Sequence, residues 1–154
     1  MHVWQDLINT KGRIMGVDFG DTRTGLAISD ESRFLASGIG YISVGGLIKT
    51  AEKTAELAKE NRVSAIVVGL PVNMNGSEGP RAERAKEFAE HLGTLVDVPV
   101  CMLDERMTTM AASRYLDMTN THGKKRKQSI DTLSAQIILQ NMLDRLKHAG
   151  SSAL

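Results

Sequence analysis

At 154 residues the chain has the length of one domain, and a domain near that size buries roughly 70% of its unfolded surface and needs no staples. A hydrophobic share of 42% excludes a disordered chain, and the single cysteine, Cys101, excludes an internal disulfide and reads as a small buried hydrophobe. A net charge of +1 neither marks nor excludes a nucleic-acid binder, because the cations are unevenly spread: Lys124, Lys125, Arg126 and Lys127 are consecutive.

Residues 1–12 read as a loose N-terminal arm, with Val3, Trp4, Leu7 and Ile8 able to form a helical turn or two against the body and Trp4 as a packing anchor. RIMGVDFG (13–20) has the apolar, β-branched content of a buried strand. GDTR is a turn, TGLAISD (24–30) a second strand, and LASGIGYIS (35–43) a third whose glycines weaken it or mark a bulge. Short turns make these three antiparallel. Over 46–61 the period changes: Leu47, Ile48, Ala51, Ala55 and Ala58 fall on one helical face, opposite a charged one.

VSAIVVGLP (63–71) is a near-continuous apolar run, typical of a strand covered on both sides. After the loop VNMNGSEGP come an amphipathic helix (83–96), a fifth strand VPVCMLDE (98–105), a third helix (108–118), a polar basic loop (121–128) and a long final helix (130–148). The tail 149–154 is expected to fray. The αβ crossovers require parallel pairing. The expectation is therefore an α/β fold, a mixed five-stranded sheet with three antiparallel strands followed by parallel ones, flanked by helices, in a single domain over 13–148.

Three acidic signals stand where an apolar run meets a loop or a helix begins: Asp18, the pair Asp104–Glu105, and Asp131. Each has an ordinary explanation. Asp18 could cap the GDTR turn, the pair could answer Arg106, and Asp131 could meet a helix dipole. Together they suggest more, because α/β domains place ligands at the carboxyl ends of strands. Carboxylates from three elements suit a hard cation such as Mg²⁺ or Mn²⁺ and, with it, phosphodiester hydrolysis. Neighbours in a strand point to opposite faces, so only one of Asp104 and Glu105 is expected to reach the site.

Asp18, Gly20, Thr22 and Gly25 also resemble the phosphate loop of actin-like ATPases and sugar kinases, with Arg23 available to a phosphate or a carboxylate. Those proteins generally hold nucleotide between two related domains, and this chain has length for one. The loop 73–79, with Asn75, Gly76 and Ser77, could offer backbone N–H groups to a phosphate. The run Lys124–Lys127 is a solvated loop or a backbone contact. His2, His91, His122 and His148 lack zinc-ligand spacing. No run reaches the ~18 apolar residues of a membrane span, and MHVWQDLINTKG lacks the features of a signal peptide, so the expected location is cytoplasmic with no membrane partner.

The stretches GVDFGDTRTGLAISD, VVGLPVNMNGSEGPRA, LDERMTTMAA and SIDTLSAQIILQ together resemble the YqgF family, also called RuvX, of pre-16S rRNA nucleases or Holliday junction resolvases. The four motifs occur in family order over most of residues 13–143. The resemblance implies an RNase H-like fold. It implies acidic active-site residues at Asp18, Glu105 and Asp131, with Asp104 as close neighbour. Beside it, the carboxylates read as catalytic and metal-binding, holding Mg²⁺ or Mn²⁺, two ions, with Arg23 in support. Asn75, Gly76, Ser77, Lys124, Lys125, Arg126 and Lys127 would then bind substrate. The expected activity is endonucleolytic processing of the 5′ end of pre-16S rRNA. The rivals are resolution of structured DNA, which favours a homodimer over a monomer, and a catalytically silent nucleic-acid or ribosome-associated binding protein.

Overall fold

The computed structural model describes the backbone of residues 1–104 and 123–152, with side chains over 1–104 and 132–149. The expected helix at 108–118, Glu105 and His122 lie outside the described residues. Five strands form one sheet: β1 (Ile14–Asp18), β2 (Thr24–Ser29), β3 (Ala36–Ile42), β4 (Ala65–Leu70) and β5 (Val100–Asp104), in the order β3-β2-β1-β4-β5. β1 is central, antiparallel to β2 and parallel to β4, and β4 is parallel to β5. This is the expected mixed sheet. The helices are α1 (Leu47–Glu60), α2 (Pro80–Leu95) and α3 (Gly123–Ser152).

Two apolar layers cover the sheet, sorted by the alternation of side chains along each strand. Met15, Val17, Leu26, Ile66 and Val68 pack with Phe88 and Leu92 of α2 and with Ala51 and Ala58 of α1. Ile14, Ala27, Val67, Cys101 and Leu103 pack under Ala135, Ile138, Leu139, Met142 and Leu143 of α3. Cys101 is the buried hydrophobe expected, and burial pushes its thiol up to about 12.

Three expectations are corrected. First, the basic run is not in a loop, because α3 already begins at Gly123. Lys, Arg and Gln are good helix formers, and no Gly or Pro interrupts residues 124–149. Asp131 therefore does not open the helix but follows Gly123 by two turns, too far in to answer the helix dipole. Second, α3 continues to Ser152, beyond the expected end at 148. Third, the N-terminal arm is not loose, although the expected helical turn against the body and the packing role of Trp4 both hold. Its 3₁₀ turn (Trp4–Leu7) buries Leu7 completely in the α3 layer, with Trp4 packed against the same layer. Arg33 then holds the arm down, donating to the Gly12 carbonyl at 2.6 Å, the Leu7 carbonyl at 3.1 Å and Thr10 Oγ1 at 2.7 Å.

Candidate active site at the carboxyl edge of the sheet

Asp18 is the last residue of β1 and half-buried. The turn after it is tightly closed. Gly20 N donates to Thr24 Oγ1 at 3.3 Å, and a Cβ on Gly20 would collide with the Arg23 carbonyl oxygen, so only glycine fits. Arg84 of α2 ties this turn to the helix layer. Its Nε and Nη2 donate to Asp21 Oδ1 at 3.3 and 3.2 Å, and its Nη1 reaches Glu87 at 3.3 Å.

Alternation decides which face Asp18 shares. Gly16 lies directly beneath α3, since a Cβ there would stand 2.7 Å from Leu139 Cβ and 2.8 Å from the Ala135 carbonyl oxygen. Asp18 has the parity of Ile14 and Gly16 and so belongs to the α3 face. Asp104 ends β5 two strands away, across β4, and is exposed. Its parity is that of Val100 and Met102, which pack in the opposite layer, whereas Cys101 and Leu103 lie under α3. Asp104 thus sits at the same edge as Asp18 with the parity of the other face, and at the strand end it lines a cavity with Trp4 and with Asn141, Asp144 and Arg145 of α3.

The direction of α3 follows from its contacts. Gln140 Oε1 accepts a hydrogen bond from Ala36 N at 2.9 Å, while Thr132 stands over Gly38. Ala36 is level with Ser29, and Gly38 with Ala27 and Gly16. From Gln140 to Thr132 the helix therefore advances toward the Asp18 end, antiparallel to β1. Position 131 is one turn before Ala135, about 6 Å along the helix. Asp18 is two residues past Gly16, about 6.6 Å along the strand. Position 131 on the helix and Asp18 on the strand thus both lie toward the same end of the sheet. The Asp131 side chain and Glu105 lie outside the described residues, as do the side chains of Lys124–Lys127. Among the described residues, no three His, Cys, Asp or Glu side chains gather as a metal site.

The loop 73–79 also borders this edge, after β4. It is more self-contained than its composition suggests. Asn73 N donates to the Ser77 carbonyl at 2.9 Å, Gly76 N to the Asn73 carbonyl at 2.8 Å, and Ser77 N to Asn75 Oδ1 at 3.0 Å. Gly76 has φ +88°, where glycine is favoured. Those three amides already serve the turn, and Glu78 is paired with Lys86. Sequence reasoning passed over Tyr41, which is level with Gly25 and hence with Asp18, and has Arg23 over its ring at 5.8 Å. The signal for it was the glycine-flanked bulge of the third strand.

A twisted mixed sheet in this strand order, with a carboxylate at the end of its central strand, defines an RNase H-like fold. Solved neighbours agree. Thermus thermophilus RuvC in complex with a Holliday junction substrate matches with a TM-score of 0.56, covering 88% of this chain and 96% of its own at 14% identity. The fowlpox virus Holliday junction resolvase matches with a TM-score of 0.55, covering 87% and 99% at 12% identity. The chain belongs to the RuvX family, whose model, described as "RuvX: Holliday junction resolvase", matches residues 12–145. A relative from Bacillus cereus (strain B4264), named "Putative pre-16S rRNA nuclease", is 45% identical over 139 residues, covering 86% of this chain and 98% of its own length. A relative of the same name from Pelotomaculum thermopropionicum is 46% identical over 133 residues, covering 86% of each. The chain is accordingly of the nuclease class, a hydrolase acting on ester bonds.

Proposed function

We propose that this protein is a divalent-metal-dependent endonuclease that processes the 5′ end of pre-16S rRNA in the cytoplasm. The observation that carries this reading is the placement of α3. Its antiparallel course over β1, pinned where Gly16 admits Ala135 and Leu139, supports a site in which Asp131 joins Asp18 at the edge where β5 also ends. Asp104 has the parity of Val100 and Met102, in the layer away from α3, which favours its neighbour Glu105 as the third carboxylate. The names of relatives near 45% identity favour rRNA as substrate.

The donor set consists of carboxylate oxygens, which fits Mg²⁺ or Mn²⁺ and not a soft metal. Asp18, Glu105 and Asp131 would hold the metal, and when bound it supplies activation of the attacking water and charge stabilisation of the leaving oxygen. The remaining work falls to the chain. The closed 19–24 turn and its Arg84–Asp21 tie fix Asp18 on the rim. Arg23 and Lys124–Lys127 position the phosphate backbone, and the loop at Asn75, Gly76 and Ser77, whose amides and side chains are bonded within the turn, serves as a shaped rim to the site.

The deciding experiment is single-turnover cleavage of a pre-16S rRNA 5′ fragment and a four-way DNA junction, each with Mg²⁺ or Mn²⁺. Asp18→Asn, which keeps shape and removes charge, should abolish cleavage with RNA binding largely retained. Glu105→Gln and Asp131→Asn should be severely impaired, and Asp104→Asn less so. Because the ligands act as a unit, double variants should fall far short of additive loss. Near-normal cleavage by folded Asp18→Asn would reject the site. Cleavage of the junction alone would transfer the activity to DNA, the substrate in the description of the family model. Binding without cleavage of either substrate would leave a binding protein.

A further inference from the structure

The α3 face of the sheet continues beyond Asp18 to β3, and β3 departs from regularity in a way that places an aromatic ring there. Gly38 lies under Thr132 and so belongs to the α3 face. In a regular strand Gly40 would share that face and Tyr41 would turn to the other. The ladder instead shifts between Leu26 and Ala27: Gly38 pairs with Ala27, Gly40 with Leu26, and Ile39 is the extra residue. The insertion reverses the parity. Tyr41 comes to pair with Gly25, which pairs with Asp18, while Ile42 enters the core under α1 and α2. Gly40 carries the φ of +118° that accompanies this irregularity and that side chains rarely adopt. A bulge interrupts pairing, and near active sites bulges commonly re-aim a side chain.

The strip so formed is Asp18, Gly25, Tyr41. Gly25 has no side chain, so the carboxylate and the ring flank a bare stretch, with their backbones two strand spacings, about 9.5 Å, apart. Tyr41 is 42% exposed, and the Arg23 guanidinium sits 5.8 Å from its ring centre.

We infer that Tyr41 and Arg23 seat one unpaired nucleotide of the substrate beside the phosphate that Asp18 serves, the base stacking on the Tyr41 ring and the phosphate meeting Arg23. This rests on the nuclease reading above and adds its substrate class at that edge. Every base has a flat face that an aromatic ring can take without reading sequence. Arginine is suited to both halves of the task, lying over a ring and binding phosphate with a planar fork. Paired bases hide their faces in the stack, so the seat selects for single-stranded or extruded nucleotides.

The test measures affinity for a short single-stranded RNA in EDTA by fluorescence anisotropy, with one abasic nucleotide moved through every position. In the wild type one position should weaken binding by roughly 5- to 150-fold, the range of base–aromatic stacking. Tyr41→Ala should lose a similar factor on the intact RNA and be indifferent to the abasic nucleotide at that position. Tyr41→Phe should behave as wild type, and Tyr41→Leu, which keeps an apolar edge, should repeat the loss if Tyr41→Ala folds poorly. In cleavage the loss should fall on KM with kcat nearly unchanged. Equal affinity of wild type and both truncated variants, or an abasic penalty that persists in them, overturns the seat, as does a wild type that binds no RNA. A wild type that binds with the expected coupling yet cleaves nothing sinks the nuclease reading and leaves the seat standing.

Discussion

Gly16→Ala tests whether the packing of α3 sets the geometry of the active edge. The added methyl would stand 2.7 Å from Leu139 Cβ and 2.8 Å from the Ala135 carbonyl oxygen. Carbon atoms rest at about 3.5–4.0 Å, so at least ~0.8 Å must be found. Neither neighbour is the far end of a flexible side chain. One is the helix backbone and the other a Cβ fixed to it, so the helix itself must lift. Overpacking of this kind costs about 1–3 kcal/mol. The same lift carries position 131 away from Asp18, and a misplacement near 1 Å can cost on the order of 10²-fold in rate. The assay pairs urea denaturation with single-turnover cleavage at a temperature where the variant is fully folded. Gly93→Ala is the control. Gly93 lies in α2 with open space where its Cβ would be, so alanine there should stabilise by about 0.4–1 kcal/mol and leave cleavage unchanged. A Gly16→Ala protein as stable and as active as wild type would refute the idea that this contact sets the site.

Replacing Lys124, Lys125, Arg126 and Lys127 with Ala should weaken RNA binding and flatten its salt dependence by roughly 0.7 in slope for each phosphate that a cation no longer neutralises, measured by anisotropy across a salt series. Since the run lies in α3 and alanine favours helix, helicity by circular dichroism should not fall. Arg33→Ala removes three donors from the N-terminal arm and should cost about 1.5–3 kcal/mol in chemical denaturation, with earlier proteolysis before residue 12. Asp30 is held near 2, first by the Ser32 hydroxyl and then by the Leu35 and Phe34 amides. Its folded-state value is depressed below the ordinary 3.8, so its stabilising contribution is present above that value and is lost as pH falls toward 2. A carboxyl NMR titration of Asp30 should show the low midpoint, and Asp30→Asn should remove that part of the acid dependence.

The sheet was legible because its determinants are local. Hairpin-length turns after β1 and β2 and an amphipathic crossover at 47–60 leave β1 central, antiparallel on one side and parallel on the other. Asp18 was legible for the same reason, as a charge ending an apolar run. The glycines of LASGIGYIS announced a bulge, but what the bulge aims depends on pairing with β2, which no local pattern contains. The looseness expected of the arm failed in the same way, while its helical turn and the packing of Trp4 were legible. Leu7 is buried and Arg33 bridges to Leu7 and Gly12 through contacts distant in sequence. The start of α3 misled for a different reason: a run of four cations reads as polar loop, yet its residues are good helix formers, and helix propensity prevails where no Gly or Pro interrupts.

If Asp18, Glu105 and Asp131 converge, the metal-free fold holds three like charges at one edge, and their repulsion destabilises the native state against the unfolded chain, where they separate. Two opposite signs follow for one substitution. In EDTA, Asp18→Asn removes a repelling charge and should melt at or above the wild type, unlike an ordinary loss of function through misfolding. With Mg²⁺ the order should reverse, because a ligand that binds only the native state stabilises it by mass action. At one hundred times the dissociation constant the gain is about 2.7 kcal/mol, and for a domain of this length that raises Tm by roughly 5–10 °C. Asp18→Asn should lose most of that rise. The same titration separates the adjacent carboxylates without reference to cleavage: Glu105→Gln should lose the Mg²⁺-dependent shift, while Asp104→Asn, at a position that lines a cavity beside Asn141, Asp144 and Arg145 about three turns along α3 from position 131, should keep it. A wild type that melts identically in EDTA and in saturating Mg²⁺ and Mn²⁺ would remove the metal from the site, whatever its fold.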